Sequence, residues 1–232
     1  MTRRSAQSPV PRPRRADGEA TERRLLEVAL DLFRGRGLDG ATMRDIAAGA
    51  GLSLGAAYHY FPSKESIVLA YYQRTQREHR QHIEKELAAT RGLRERLRLV
   101  LRSKLEILRR DRRLLGALFR FAGDPESPVS VFAKGTADVR AESIGLISMA
   151  LDTPEVPAEA RAPLATALWA VHLGLLLFFL HDTSPRQQRT WQLVDDVTDL
   201  FADLAPLAAM PGALAIGNRV LTILDRAGIK TS

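Results

Sequence analysis

Apolar residues recur at helical spacing through nearly the whole chain, and no stretch alternates in the manner of a strand. Order is expected from about Asp17. Leu25, Leu26, Ala29, Leu30 and Phe33 mark one face of a first helix, which Gly35 and Gly37 end. Thr42, three residues before Asp45, predicts a capping box for a second helix over about 42–49. Gly49–Gly51 then makes a tight turn. Ser53 caps a third helix, so short that Pro62 already stops it, because proline disfavours the α conformation in the residue before it. Ser63 caps a fourth, which meets no proline or glycine before about Ala89. Leu93, Leu97, Val100, Leu101, Leu105 and Leu108 define a fifth, amphipathic helix, and a shorter one follows from Asp111 to about Ala122. Helices are predicted over about 129–150, 158–181, 187–205 and 213–227, separated by GDPESP, DTPEVP, HDTSP and a break at Pro206–Gly212. The fold class is all-α.

Charge is unevenly spread along this string of helices. Residues 1–113 hold 25 Lys and Arg against 14 Asp and Glu, whereas residues 114–232 hold 9 against 13. A basic half joined to a mildly acidic one suggests that one end meets a polyanion. Arg3, Arg4, Arg12, Arg14 and Arg15 lie in a Pro- and Ser-rich opening segment with nothing to bury, read as a disordered basic arm over 1–16. No apolar run follows those arginines, so the start does not read as a secretory signal. The 232-residue chain has no cysteine, which excludes disulfides and thiolate metal sites. The basic run from Arg74 to Arg113 reads as a solvated helical face.

The segment LSLGAAYHYFPSK, residues 52–64, carries the functional signal. Two short helices joined by a glycine turn, the second capped by serine, form a helix-turn-helix whose second helix presents its N-terminal residues to base edges in a DNA major groove. Gly55 and Ala56 lack bulk and allow close approach. Tyr58, His59 and Tyr60 offer donors to phosphates and flat faces to thymine methyls. Ala57 and Phe61 are expected to face inward. Lys64 opens the fourth helix, where free N–H groups and the dipole favour a phosphate.

The stretch ATMRDIAAGAGLSLGAAYHYFPSKESIVLAYY resembles the DNA-binding signature of the TetR family of bacterial regulators, over about Thr21 to Tyr72. Its marks are Thr42 followed by Ile46-Ala47, Ala50-Gly51-x-Ser53, and Tyr58-x-Tyr60-Phe61-x-x-Lys64. The resemblance implies that Thr42 and Lys64 bind phosphates. It places Ser53, Leu54, Gly55 and Ala56 against the groove, with Tyr58, His59 and Tyr60 on bases or backbone, and lets Arg44 reach a guanine. The third helix contains no Arg, Asn or Gln, so specificity is expected from Arg44, thymine methyls, waters and DNA shape. The resemblance further implies an N-terminal helix-turn-helix domain (17–66), an α-helical ligand-binding and dimerisation domain (67–205) and a C-terminal extension (206–232). Such a chain acts as a homodimer on double-stranded DNA, as a repressor more often than an activator, and in the cytoplasm.

LATALWAVHLGLLLFFL, residues 164–180, lacks formal charge and approaches the ~20 residues that span a bilayer. Burial against a partner explains it without lipid: the resemblance makes this helix and the next (187–205) the pair that forms a four-helix bundle across a dimer, so no membrane is expected. It also implies a small-molecule effector between the central helices. Phe119, Phe121, Met149, Trp169 and His172 are the candidates to meet it, with Phe132 and Phe178 behind them, and they suggest a mostly apolar ligand. Core packing is the competing reading for each. A DNA-binding or architectural protein that senses no ligand is the alternative function, which a central cavity would separate. No cofactor, metal or catalytic site is expected; His79 and His82 are three apart but have no third ligand.

Overall fold

The computed structural model describes residues 15–210 and 212–226. Among them there is no strand, and ten α-helices follow one another: α1 (Arg15–Arg36), α2 (Met43–Gly49), α3 (Leu54–Tyr60), α4 (Lys64–Ala89), α5 (Leu93–Arg109), α6 (Arg112–Ala122), α7 (Ala137–Ala150), α8 (Ala158–His181), α9 (Gln188–Leu204) and α10 (Ala213–Arg226). The chain divides into two compact units, residues 1–67 and 68–232. The segment read as a basic arm lies outside the described residues up to position 14, and Arg15 and Ala16 already belong to α1.

In the first unit, α1 supplies Leu25, Leu26, Ala29, Leu30 and Phe33, all buried, and α2 packs against it through Met43, Ile46 and Ala47. Full burial of a Leu, Ile or Phe side chain contributes about 1.5–3 kcal/mol, so this small apolar set holds helices that are too short to persist alone. The capping box of α2 is complete: the Thr42 backbone N–H donates to Asp45 Oδ2 at 3.0 Å, and Asp45 N–H donates to Thr42 Oγ1 at 3.1 Å. The turn between α2 and α3 needs glycine twice. Gly51 has φ of +66°, and a Cβ at Gly49 would lie 2.7 Å from Val28 Cγ1 of α1.

The second unit has one core, built from Leu97, Leu101 and Leu105 of α5, Leu146 and Ile147 of α7, Leu168 and Phe179 of α8, and Val194 of α9. One predicted helix is shorter than expected. α7 begins at Ala137 rather than near 129, after a single 3₁₀ turn over Lys134–Thr136. Hydroxyls take the backbone elsewhere in this segment. Ser130 Oγ donates to Ala122 O at 3.0 Å, Thr136 Oγ1 to Ser130 O at 2.6 Å, and the Val131 N–H reaches Ala122 O at 3.1 Å. The segment is thereby tied to the end of α6 instead of entering α7.

The basic run is not a bare solvated face. Arg96 donates to the carbonyls of Leu87, Ala150 and Met149, at 2.6, 3.1 and 2.6 Å. Arg112 donates to Phe179 O and Leu180 O at 2.9 and 3.0 Å, carbonyls of the last turn of α8. Arg94, Arg98 and Arg102 of α5 pair with Asp199, Asp203 and Asp195 of α9. Much of the basic excess of residues 74–113 is therefore answered inside the chain.

Candidate functional site

The α3 surface is assembled from its caps outward. Ser53 Oγ accepts the Ala56 N–H at 3.2 Å, which fixes the first turn of α3 and contributes about 1 kcal/mol. Ala57 is fully buried and Phe61 is 3% exposed, so these two pin the helix inward. Ser53, Gly55, Tyr58 and His59 are exposed, with Leu54, Ala56 and Tyr60 half-buried. A Cβ added at Gly55 meets nothing within 4 Å. Glycine inside a helix costs about 0.5–1 kcal/mol relative to alanine, and no contact among the described residues accounts for that cost here. His59 and Tyr60 stand edge to face, ring centroids 5.5 Å apart.

Two other candidates from the sequence have partners of their own, and a third is exposed. The Thr42 hydroxyl donates to Asp45 Oδ2 at 2.6 Å, within the capping box, and Asp45 is held below the usual carboxylate range by those bonds from Thr42. Lys64 Nζ donates to Leu38 O at 2.7 Å. An ammonium has three donors, so this bond occupies one of them. Arg44 is exposed on α2.

The second unit holds a half-open cavity of about 140 Å³ among α4–α8. Phe119, Trp169 and His172 line it; Phe121, Met149, Phe132 and Phe178 do not. Phe132 instead packs edge-on against Trp169, at 6.3 Å between centroids, and Met149 packs against the core. The wall also holds residues that the sequence reading passed over, among them Gln76, Lys104 and Arg140. Their signal was present: Lys104 interrupts the apolar face Leu97, Val100, Leu101, Leu105, Leu108, and Arg140 begins the buried line Arg140, Ile144, Ile147 of α7.

Lys104 is 6% exposed, and its ammonium donates to Gln76 Oε1 at 3.0 Å. Burial pushes its pKa down to about 7, against the opposing pull of Glu142 and Glu78. Burial and the Lys104 charge push His172 down to about 3, so its ring is neutral. Its Nδ1 is buried with no hydrogen-bond partner among the described residues. His79 is likewise driven far down, by burial first and then by Lys104 and His172. Its Nε2 lies 3.0 Å from Val100 O and 3.0 Å from Ser103 Oγ, while His82 is exposed on the same helix beside Glu86. The two histidines are thus committed to different surroundings. Among the described residues, no group of three or more His, Cys, Asp or Glu is placed to hold a metal ion.

An exposed, serine-capped α3 with inward anchors, followed in sequence by a helical unit that holds a cavity, defines the helix-turn-helix class of DNA-binding regulator. Residues 25–71 match the family described as "Bacterial regulatory proteins, tetR family", and residues 96–219 match "Tetracyclin repressor-like, C-terminal domain". The chain belongs to the TetR family of bacterial transcriptional regulators. It is 50% identical over 56 residues to the HTH-type transcriptional repressor KstR2 of Mycobacterium tuberculosis, a match covering 23% of this chain and 28% of that one. It is 53% identical over 51 residues to KstR2 of Rhodococcus jostii, covering 22% and 24%. The match therefore spans about a quarter of these relatives' own length. A tetR-family transcriptional regulator from Streptomyces coelicolor superposes with a TM-score of 0.62 at 25% identity, over 90% of this chain and 96% of that one. The family is one of DNA-binding transcriptional regulators.

Proposed function

We propose that this regulator is a homodimeric repressor that binds a palindromic operator through α3 and leaves it when a small effector enters the cavity of the second unit. The α3 surface carries the reading: a glycine with open space around it, two exposed rings beyond it, and buried anchors behind. That is a helix shaped for close approach to something outside the chain. Thr42, Ser53, Leu54, Gly55, Ala56, Tyr58, His59, Tyr60 and Lys64 contact the duplex, and Arg44 contributes base readout from α2. The name of the Mycobacterium tuberculosis relative, a transcriptional repressor, supports the sign of control.

Dimerisation rests on α8. Ala170, Val171, Gly174, Leu177, Phe178 and His181 are exposed at spacings of one, three, three, one and three, which is one helical stripe, and all but the last are apolar. The helix is long and apolar enough to cross a membrane by length and composition alone, yet 44% of that span is buried inside the chain. A second copy on the remaining stripe, with Leu200 and Leu204 of α9 beside it, accounts for the rest. A two-fold pair presents two α3 helices to half-sites about 34–36 Å apart.

The cavity favours effector control over a regulator that senses nothing, and Phe119, Trp169 and His172 are the expected contacts. To lower operator occupancy from 99% to 1%, effector must prefer the non-binding form by about 5.5 kcal/mol. A protein of this kind works in the cytoplasm. The test is duplex binding by wild type and by a Tyr58→Ala, His59→Ala variant. Both residues are exposed, so melting should be unchanged while specific binding falls at least tenfold. Equal binding by the two proteins would contradict the assignment.

A further inference from the structure

The cavity is built on apolar side chains with hydroxyls and one amide among them, such as Tyr71, Thr75, Gln76 and Ser143, but its charged groups are of one sign. Lys104 and Arg140 both line it, each 6% exposed, and no Asp or Glu does. Lys104 lies close enough to His172 and His79 for its charge to act on both. Three buried nitrogen bases therefore meet from α4, α5 and α8. The carboxylates that act on Lys104 lie off the wall: Glu142 is bonded to Arg80 at 3.1 Å, and Glu78 to Arg110 at 3.0 Å. Two nitrogens of wall residues, His172 Nδ1 and Arg140 Nε, are buried without a hydrogen-bond partner among the described residues. An ammonium has three donors and Gln76 takes one of them, and a buried ring nitrogen without a partner costs free energy until one arrives.

We propose that the effector is a small carboxylic acid, bound as its anion, with the carboxylate accepting from Lys104 Nζ and His172 Nδ1 and an apolar body against Leu118, Phe119 and Trp169. An acceptor-only carboxylate matches a donor-only ammonium and selects the neutral imidazole tautomer with its proton on Nδ1. Size sets the body: an apolar cavity of about 150 Å³ holds benzene, and this one is about 140 Å³. A single ring or a chain of about six carbons fits inside, and the open side leaves room for a longer body. The inference rests on the effector-sensing reading and adds the chemical class of what is sensed.

Calorimetry on the full chain tests it with benzoate against benzamide, hexanoate against hexanamide, and toluene as a purely apolar probe. The acids should bind at least tenfold more tightly than their amides. Lys104→Met, which keeps the length of the side chain and removes the charge, should erase that preference while leaving toluene binding intact. His172→Leu should weaken the acids alone. Amides or toluene binding as well as the acids would overturn the carboxylate while leaving effector sensing in place. Binding by none of the five would overturn both.

Discussion

Arg102 grips Asp195 through two hydrogen bonds, Nη2 to Oδ2 at 2.6 Å and Nε to Oδ1 at 3.0 Å, and so ties α5 to α9. Arg98 Nε reaches the same carboxylate at 3.2 Å, and the Arg102 guanidinium lies 5.8 Å from the centre of the Trp191 ring. Both charged partners are about one-third exposed, which screens the pair. Asp195→Ala should therefore cost only about 1 kcal/mol, or a fall in melting temperature of about 2–4 °C. Thermal denaturation checks this, and the loss should shrink in high salt.

That pair also shows where the sequence reading reached its limit. The caps at Thr42, Ser53 and Ser63, the glycine turn and the inward Ala57 and Phe61 were legible because each is decided within a few residues. The split between a basic front half and an acidic back half was equally visible, but its meaning was not. Arg94, Arg98 and Arg102 spend their charge on acids about a hundred positions away. Spacing along the chain carries no record of such a pairing. The cavity was half legible for the same reason: Phe119, Trp169 and His172 stood out by type, whereas Lys104 needed its place in the α5 stripe, and Phe121 and Met149 have the right chemistry on helix faces that turn away from the cavity. Lys64 had its phosphate role assigned from position, yet its bond to Leu38 O depends on a carbonyl 26 residues earlier.

Lys104 makes stability depend on pH with a definite sign. Its pKa is about 7 in the folded protein against an ordinary 10.5, so between those values the unfolded chain binds more protons. Stability from this group must rise with pH across that window. Glu142 and Glu78 act on it, and His79 and His172 stay neutral throughout. Wild type should gain roughly 2 kcal/mol on Lys104→Met between pH 7 and pH 9. Parallel denaturant titrations at the two pH values measure this, and a constant difference would show that the ammonium is not desolvated.

Gly51 and Gly55 should respond in opposite ways to alanine. At Gly51 the φ of +66° makes a side chain strained, so Gly51→Ala should cost about 1–2 kcal/mol. At Gly55 the added methyl meets nothing, so Gly55→Ala should stabilise by about 0.5–1 kcal/mol. Operator affinity of the Gly55 variant should nevertheless fall. Denaturation and duplex binding on the same samples separate the two effects.

Lys64→Met removes one hydrogen bond to a backbone carbonyl, a loss of about 1 kcal/mol in the fold. If the remaining donors meet a phosphate, the slope of log affinity against log salt should also fall by about 1 per protomer. An unchanged slope would confine Lys64 to its bond with Leu38.

Val171 and Leu177 stand on the exposed stripe of α8. Replacing both by glutamate should leave the second unit folded and convert a dimer into a monomer in sedimentation equilibrium. Palindrome binding should fall with it, because one protomer meets only one half-site.

The most direct measurement is selection from random duplex DNA by the purified full chain, with the recovered sites rebound by wild type and by Gly55→Leu. The account predicts a two-fold symmetric sequence with half-sites about one helical turn apart, bound at least tenfold more weakly by a Gly55→Leu protein that melts as high as wild type. Recovery of no sequence above bulk DNA, or equal binding by the two proteins, would contradict it.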